Sequence, residues 1–376
     1  MGKLSAAAAT MHTLSMTAME EASRLGARDT DIDHLFVALV ASEQAAGQVL
    51  RALGVTLHGA RQAIADQHAE DLGAIGIDMA PPQPGPIVFN ETGGYEWTSR
   101  AGKVLNSVSE KNSDGSATAV LRALIDEPSG FISGVLMRLG VDPLEVRERL
   151  DAAARIPDFG GGADGAETVD WAGSGQAGSP GRTAAPGEAP LGRSPGARPH
   201  GQATPKALAR AVTGFVPAPP NAVWELLADP GRMPEWEEML ESVDPASVSP
   251  QPSPGAMPEI GATWEGRGRT HAPDGKPLRT RASLNRIAFE LVEASEPARV
   301  AWRLSFPDEP NANTRLLEIQ LEHAAGGTAI RARIAWERSV ARRSLQGWAL
   351  RPVTRMLLWL QATKIVGGVS RVFRSA

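Results

Sequence analysis

A stretch of nearly fifty residues constrains this chain more than any other feature. From about Pro157 to Pro205 it is dominated by Gly, Ala, Pro and Ser with hardly an aliphatic side chain, as in Gly160-Gly161-Gly162 and the Ser-Pro-Gly units at 179–181 and 194–196. Such a segment cannot bury enough apolar surface to offset the entropy of ordering it, so residues 156–205 are expected to form a disordered tether. The chain therefore has to fold as two units, one before the tether and one after it. The flanks carry different patterns, helical spacing in one and period-two alternation in the other.

Whole-chain composition bounds the function classes. Apolar residues make up 42% and charged residues 22%, enough for real cores. With no cysteine, disulfides, thiolate nucleophiles and zinc–thiolate sites are excluded. Met1 to Leu14 has no apolar signal-peptide run. The apolar stretch around Met356 to Val369 contains Lys364 and is shorter than the ~20 residues a membrane span needs. A cytoplasmic protein is expected. The net charge of −5 hides an asymmetry: residues 1–155 hold 13 basic and 20 acidic side chains, residues 206–376 hold 22 and 18. The basic excess is too small for a nucleic-acid platform, so none is expected as partner. A solvated surface is the plainer reading of the imbalance.

The first unit repeats itself. Ala38-Leu39, Val49-Leu50, Leu53-Gly54-Val55 and Arg61 return as Ala123-Leu124, Val135-Leu136, Leu139-Gly140-Val141 and Arg147. In both copies a Leu-Gly-Val unit ends a helix, with glycine suited to the left-handed cap position, and Asp142-Pro143 opens the helix after the second. Two such halves bury their apolar faces by packing together. No G-x-x-x-x-G-K-[ST] occurs, so there is no phosphate loop for ATP.

Within that unit, Glu20-Glu21-Ala22-Ser23-Arg24-Leu25-Gly26, Asp31-Ile32-Asp33-His34-Leu35 and Val49-Leu50-Arg51-Ala52-Leu53-Gly54-Val55 resemble the repeat of the Clp N-terminal domain. The resemblance covers 5–152. It implies an all-α, duplicated eight-helix receptor for protein partners. It also assigns peptide or phosphoarginine reading to an acidic residue followed by histidine, here Asp33 and His34. The second copy has Thr118 and Ala119 there. The alternative role for Asp33 and His34 is a helix cap beside a partly buried histidine.

The unit at 206–376 reads as α+β. Strands are expected at Leu208 to Val216, Ala262 to Arg269, Leu278 to Leu284 continuing towards Val292, Arg299 to Phe306, Thr314 to Glu322 and Thr328 to Glu337. Short helices are expected around Ala222–Leu227 and Met233–Leu240, and a long last helix at Ser339 to Phe373, kinked at Pro352. The run Val216-x-Ala218-Pro219-Pro220, Val223-Trp224-x-Leu226-Leu227-Ala228-Asp229-Pro230 and Pro234-x-Trp236 resembles the SRPBCC group of START-like and polyketide cyclase-like proteins. That resemblance implies a helix-grip fold, an antiparallel sheet around the C-terminal helix with an apolar cavity between them.

Alternation places Trp264, Trp302 and Trp336 on inner faces, with Trp236 nearby, so the candidate ligand-binding residues are Trp236, Trp264, Trp302, Trp336 and Arg315. The tryptophans either line a cavity or fill a core. Gly266 and Gly268 favour a void. Arg315 is the one charge of inward parity, either snorkelling or anchoring a carboxylate. His271 and His323 lack an inward partner, so no catalytic residue, metal site or cofactor is assigned. Eight basic residues after Glu337, without an acid, make the last helix basic and amphipathic, suited to peripheral contact with anionic lipid or to an acidic surface such as Glu235, Glu237 and Glu238.

These readings favour a non-enzymatic binder of a lipid or aromatic small molecule with protein recognition by the first unit. A cyclase/aromatase-like enzyme and an adaptor for a Clp protease are the alternatives.

Overall fold

The computed structural model describes residues 3–78, 82–87, 94–110, 116–155, 208–250, 259–271, 275–278, 281–337 and 351–375. The expected tether at 156–205 and the start of the expected last helix, 339–350, lie outside these.

The first unit is a bundle of eight helices: α1 (Lys3–Arg24), α2 (Ile32–Val40), α3 (Ala45–Ala52), α4 (Leu57–Ala74), α5 (Ser99–Glu110), α6 (Ala117–Ile125), α7 (Phe131–Arg138) and α8 (Pro143–Ala154). Two residue-long pieces, β1 (Asp29–Thr30) and β2 (Glu96–Trp97), pair in parallel. Every residue of α2 is buried, as expected of a helix apolar nearly all round. It packs against α1, α3, α4, α5, α6 and α7 and forms the centre of the core. Gly54 and Gly140 end α3 and α7 with φ of 87° and 74°, the left-handed positions their sequence context requires.

The second unit is a seven-stranded antiparallel sheet in the order β3-β9-β8-β7-β6-β5-β4 with a long helix on one face. The strands are β3 (Leu208–Val216), β4 (Leu240–Ser249), β5 (Thr263–Gly268), β6 (Arg286–Ser295), β7 (Arg299–Ser305), β8 (Thr314–Ala324) and β9 (Gly327–Glu337). Between β3 and β4 lie α9 (Pro220–Ala228) and the single turn α10 (Met233–Trp236). The last helix is α11 (Arg351–Ser375).

Two expectations change here. Among the described residues of the expected strand from Leu278 to Leu284, Ala282–Leu284 forms a short 3-10 turn, and β6 begins at Arg286. The edge strand β4 has no strong strand pattern in its sequence, because Asp244-Pro245 interrupts it and most of it is exposed.

The core lies between the sheet and α11. Leu358, Ala362, Ile365 and Val369 present one stripe of α11 to it at helical spacing. The approach is close. A methyl group on Gly214 of β3 would sit 2.1 Å from Cγ1 of Val366, and one on Gly368 would sit 2.2 Å from the carbonyl oxygen of Trp236. Glycine at both positions lets α11 press against β3 and α10.

Candidate functional site

In the interior beneath α11, Trp302 is fully buried on β7, and its Nε1–H donates to the Leu227 carbonyl at 3.0 Å. Trp264 on β5 is buried and meets Trp302 edge-on, ring centroids 5.6 Å apart, the arrangement ring quadrupoles favour. Trp236, at the end of α10, is also buried, but its indole N–H has no hydrogen-bond acceptor. Such a buried donor is costly to leave unmatched. Trp336 is only partly buried and packs at the edge of this cluster. The structure thus brings three of the four tryptophans into one core and leaves the fourth at its rim.

The glycines do not open a void. A methyl group on Gly266 would lie 2.8 Å from both Phe289 Cε2 and the Ser242 carbonyl oxygen, and one on Gly268 would lie 3.2 Å from Asn285 Oδ1. Alternation identified the inward face but could not show that a ring from the next strand occupies the space. Arg315 faces inward beside Trp336 and Leu304, and its Nη2 donates to Glu237 Oε2 at 2.8 Å. Its carboxylate partner is internal, on the residue that caps α10. Sequence parity found the arginine; the acid, 78 positions away, had been grouped with the surface. His271 and His323 are both exposed.

The second candidate is the start of α2. Asp31 is its N-cap, with Oδ1 accepting from the Ile32 N–H at 2.8 Å, and the Asp31 N–H donates to His34 Nδ1 at 3.1 Å to complete a capping box. Asp33 Oδ1 accepts from the His34 N–H at 2.7 Å, and Oδ2 lies 2.9 Å from Nε2 of His68 on α4. His34 Nδ1 is also 2.9 Å from Asp33 Oδ1. It can accept from the Asp31 amide or donate to Asp33, not both at once. Burial opposes ionisation of Asp33 most strongly of any single influence, yet the hydrogen bonds and charges of His34 and His68 together hold its carboxyl far below the usual range. His68 is raised by its bond to Asp33, with burial working against it. Phe131 of α7 meets the His68 ring at 4.7 Å, and Arg100 of α5 lies over Phe131 and pairs with Asp31. At the matching start of α6, Ser116 Oγ accepts from the Ala119 N–H at 3.2 Å. Asp33 and His34 are therefore buried and committed to partners inside the bundle.

A third feature was not anticipated. The units meet along α1 and α11. Arg374, with 2% of its side chain exposed, pairs through one Nη with Glu20 and through the other with Glu21 at 3.1 Å. Arg371 reaches Glu20 at 2.8 Å, Arg61 reaches Glu21 at 2.8 Å, and Arg61 Nη2 also donates to the Arg374 carbonyl at 3.0 Å. Burial is the largest influence on Glu21 and favours its neutral form, but Arg374, Arg61 and Arg24 outweigh it and keep its carboxyl low. Nearby, Arg51 donates to the Val40 and Ser42 carbonyls and stacks over Phe215 of β3 at 3.7 Å; burial pushes its guanidinium down to about 10. Part of the acidic front and basic back is thus paired across this seam. The arginines near the end of α11 that suited anionic lipid face Glu20 and Glu21 instead, which corrects the expectation of membrane contact at that end.

Between α1, the end of α2, β3 and α11 the seam encloses a cavity of about 200 Å³. Leu14, Phe215, Trp359 and Val366 contribute apolar wall, and Lys364 and Arg374 contribute charge. Among the described residues, no helix is long and apolar enough to cross a membrane, and no group of three or more His, Cys, Asp or Glu could hold a metal ion.

Comparison with known proteins bears on the second unit. Residues 210–361 match the family model described as polyketide cyclase / dehydrase and lipid transport. This segment has the helix-grip architecture, a cyclase-like domain within a longer chain. Among solved structures, a Chromobacterium violaceum protein is 14% identical, over 44% of this chain and 97% of that one, with a TM-score of 0.29. A polyketide cyclase-like protein of Corynebacterium glutamicum is 15% identical over 45% and 93%, with a TM-score of 0.29. The di-domain aromatase/cyclase StfQ from the steffimycin biosynthetic pathway is 10% identical over 44% and 50%, with a TM-score of 0.32. No curated protein matches the chain.

Proposed function

We propose that this protein is a non-enzymatic binder of a hydrophobic small molecule, a lipid or an aromatic compound, whose first domain is a Clp-type module that recognises a protein partner. The observation that carries the ligand reading is the family match across 210–361, whose description includes lipid transport. A cyclase or aromatase reading needs proton donors and acceptors converging on the interior, and the polar pair placed there, Arg315 with Glu237, is already mutually satisfied.

The Clp-type reading of the first domain rests on the sequence resemblance, and eight helices around a central α2 are compatible with it. Recognition through Asp33 and His34 requires His68 to release Asp33, so a bound peptide would be read by change in the His68 environment.

Native mass spectrometry of the full chain purified from its own host tests the ligand reading. A co-purifying lipid or aromatic mass is expected. No adduct, together with no saturable uptake across fatty acids, isoprenoids and polycyclic aromatics, would sink it.

A further inference from the structure

We propose that the cavity at the seam between the two domains is a binding site for a small amphipathic carboxylate, held with its apolar body against α1 and β3 and its head at α11. The inference rests on the reading of the protein as a hydrophobic-ligand binder, but it places the ligand outside the helix-grip interior.

The first argument is space. The interior beneath α11 is occupied by Trp236, Trp264, Trp302 and Phe289, and Gly214 and Gly368 bring α11 as close as backbone allows. At the seam about 200 Å³ stays open. An apolar cavity of roughly 150 Å³ accommodates benzene, so this one suits a ligand of about ten non-hydrogen atoms.

The second argument is the two-sidedness of α11. One stripe, Leu358, Ala362, Ile365 and Val369, fills the sheet core. The opposite stripe, Thr363, Lys364, Gly367 and Ser370, lines the cavity together with Arg374. Facing it are Leu14 and Thr17 of α1 and Phe215 of β3. Leu14, Met16, Val212 and Phe215 give that side apolar patches among threonines, and Lys364 and Arg374 place cationic donors on the α11 side, an arrangement that orients an amphipathic molecule.

The third argument is donor capacity. The acidic groups on the wall have cationic partners: Glu20 with Arg371 and Arg374, Glu43 with Arg51, Glu238 with Lys364. The cations have donors to spare. Arg374 is buried with its Nε–H unmatched, and the Lys364 ammonium has three N–H groups and one carboxylate partner at 3.0 Å. A further carboxylate is what such a wall lacks. A ligand here would touch both domains and hold them together.

Titration calorimetry of the full chain with sodium octanoate tests this, with octanol and octylamine as controls. Octanoate is expected to bind saturably and octanol about tenfold more weakly, the usual worth of a charge-assisted hydrogen bond. Lys364→Met should remove most of that preference without changing octanol binding. Thr363→Trp, which fills the cavity from α11, should abolish uptake, and Thr17→Trp does the same from the α1 wall in case the first variant undocks the domains. Octanoate bound no better than octanol, or undiminished uptake by both tryptophan variants, overturns the site. Undiminished uptake would place the ligand elsewhere and leave the proposed function standing, whereas failure of the wider panel removes that as well.

Discussion

Two of the places where buried carboxylates occur give them different partners. At the start of α2, Asp33 faces imidazoles, His34 and His68. At the seam, Glu20 and Glu21 face guanidiniums, Arg61, Arg371 and Arg374. Burial disfavours the charged form of Asp33 and of Glu21, and for each of these two the partners win. The difference lies in the partners' own titration. Guanidinium keeps its charge throughout physiological pH, while imidazole loses it near neutrality. One device is a fixed clamp between domains; the other is sensitive to pH within a domain.

Arg374→Met should have the largest effect. It leaves two buried glutamates short of a partner, a change worth about 3–5 kcal/mol in comparable buried pairs. Small-angle scattering should show separated domains, and amides in the last turn of α11 should exchange faster. An unchanged radius of gyration breaks the description of the seam as a clamp. Asp33→Asn comes next, at about 2–4 kcal/mol from the first domain, because the carboxylate's charge-assisted bonds become neutral ones. The first-domain transition in chemical denaturation measures it.

The pH dependence distinguishes the two devices directly. Asp33 has a lowered pKa in the fold, so its contribution is present above the ordinary aspartate value of about 3.9 and is lost as pH falls through the folded value. His68 has a raised pKa, so its contribution is complete below about 6.5 and is lost as pH rises through the folded value. The first domain is therefore most stabilised by this pair between about pH 4 and 6.5, and loses stability as pH rises above that window through the raised His68 value. Asp33→Asn should flatten that slope, and proton NMR should find His68 titrating above an ordinary histidine. The seam should show no corresponding slope over the same interval. Smallest is Ser116→Ala at the start of α6, about 1 kcal/mol for a lost cap, read as a small drop in the first-domain transition in chemical denaturation.

How much of this was legible in the sequence depended on range. Alternation located β3 and β5 to β9 within a few residues, with the start of β6 misplaced, because one face of each is buried and one solvated. It missed β4, whose weak pattern and exposed edge give period two little to act on. The inward parity of Trp264, Trp302 and Arg315 was readable, but not that Phe289 fills the space above Gly266 or that Glu237 meets Arg315. Both depend on which strand or turn lies alongside. The charge asymmetry of the two halves was visible, yet pairing between Glu20 and Arg374 spans 354 positions and leaves no local trace.

The bond from Arg61 to the carbonyl of Arg374 has a consequence for assembly. The terminal carbonyls of a helix have no partner within it, and a cation at that end also answers the helix dipole. For α11 the group that does both comes from α4, 313 positions earlier in the chain. A chain emerging from the ribosome finishes its N-terminal bundle well before α11 exists. The bundle then acts as a waiting template, and the last turn of α11 is completed by a hand extended from the first domain.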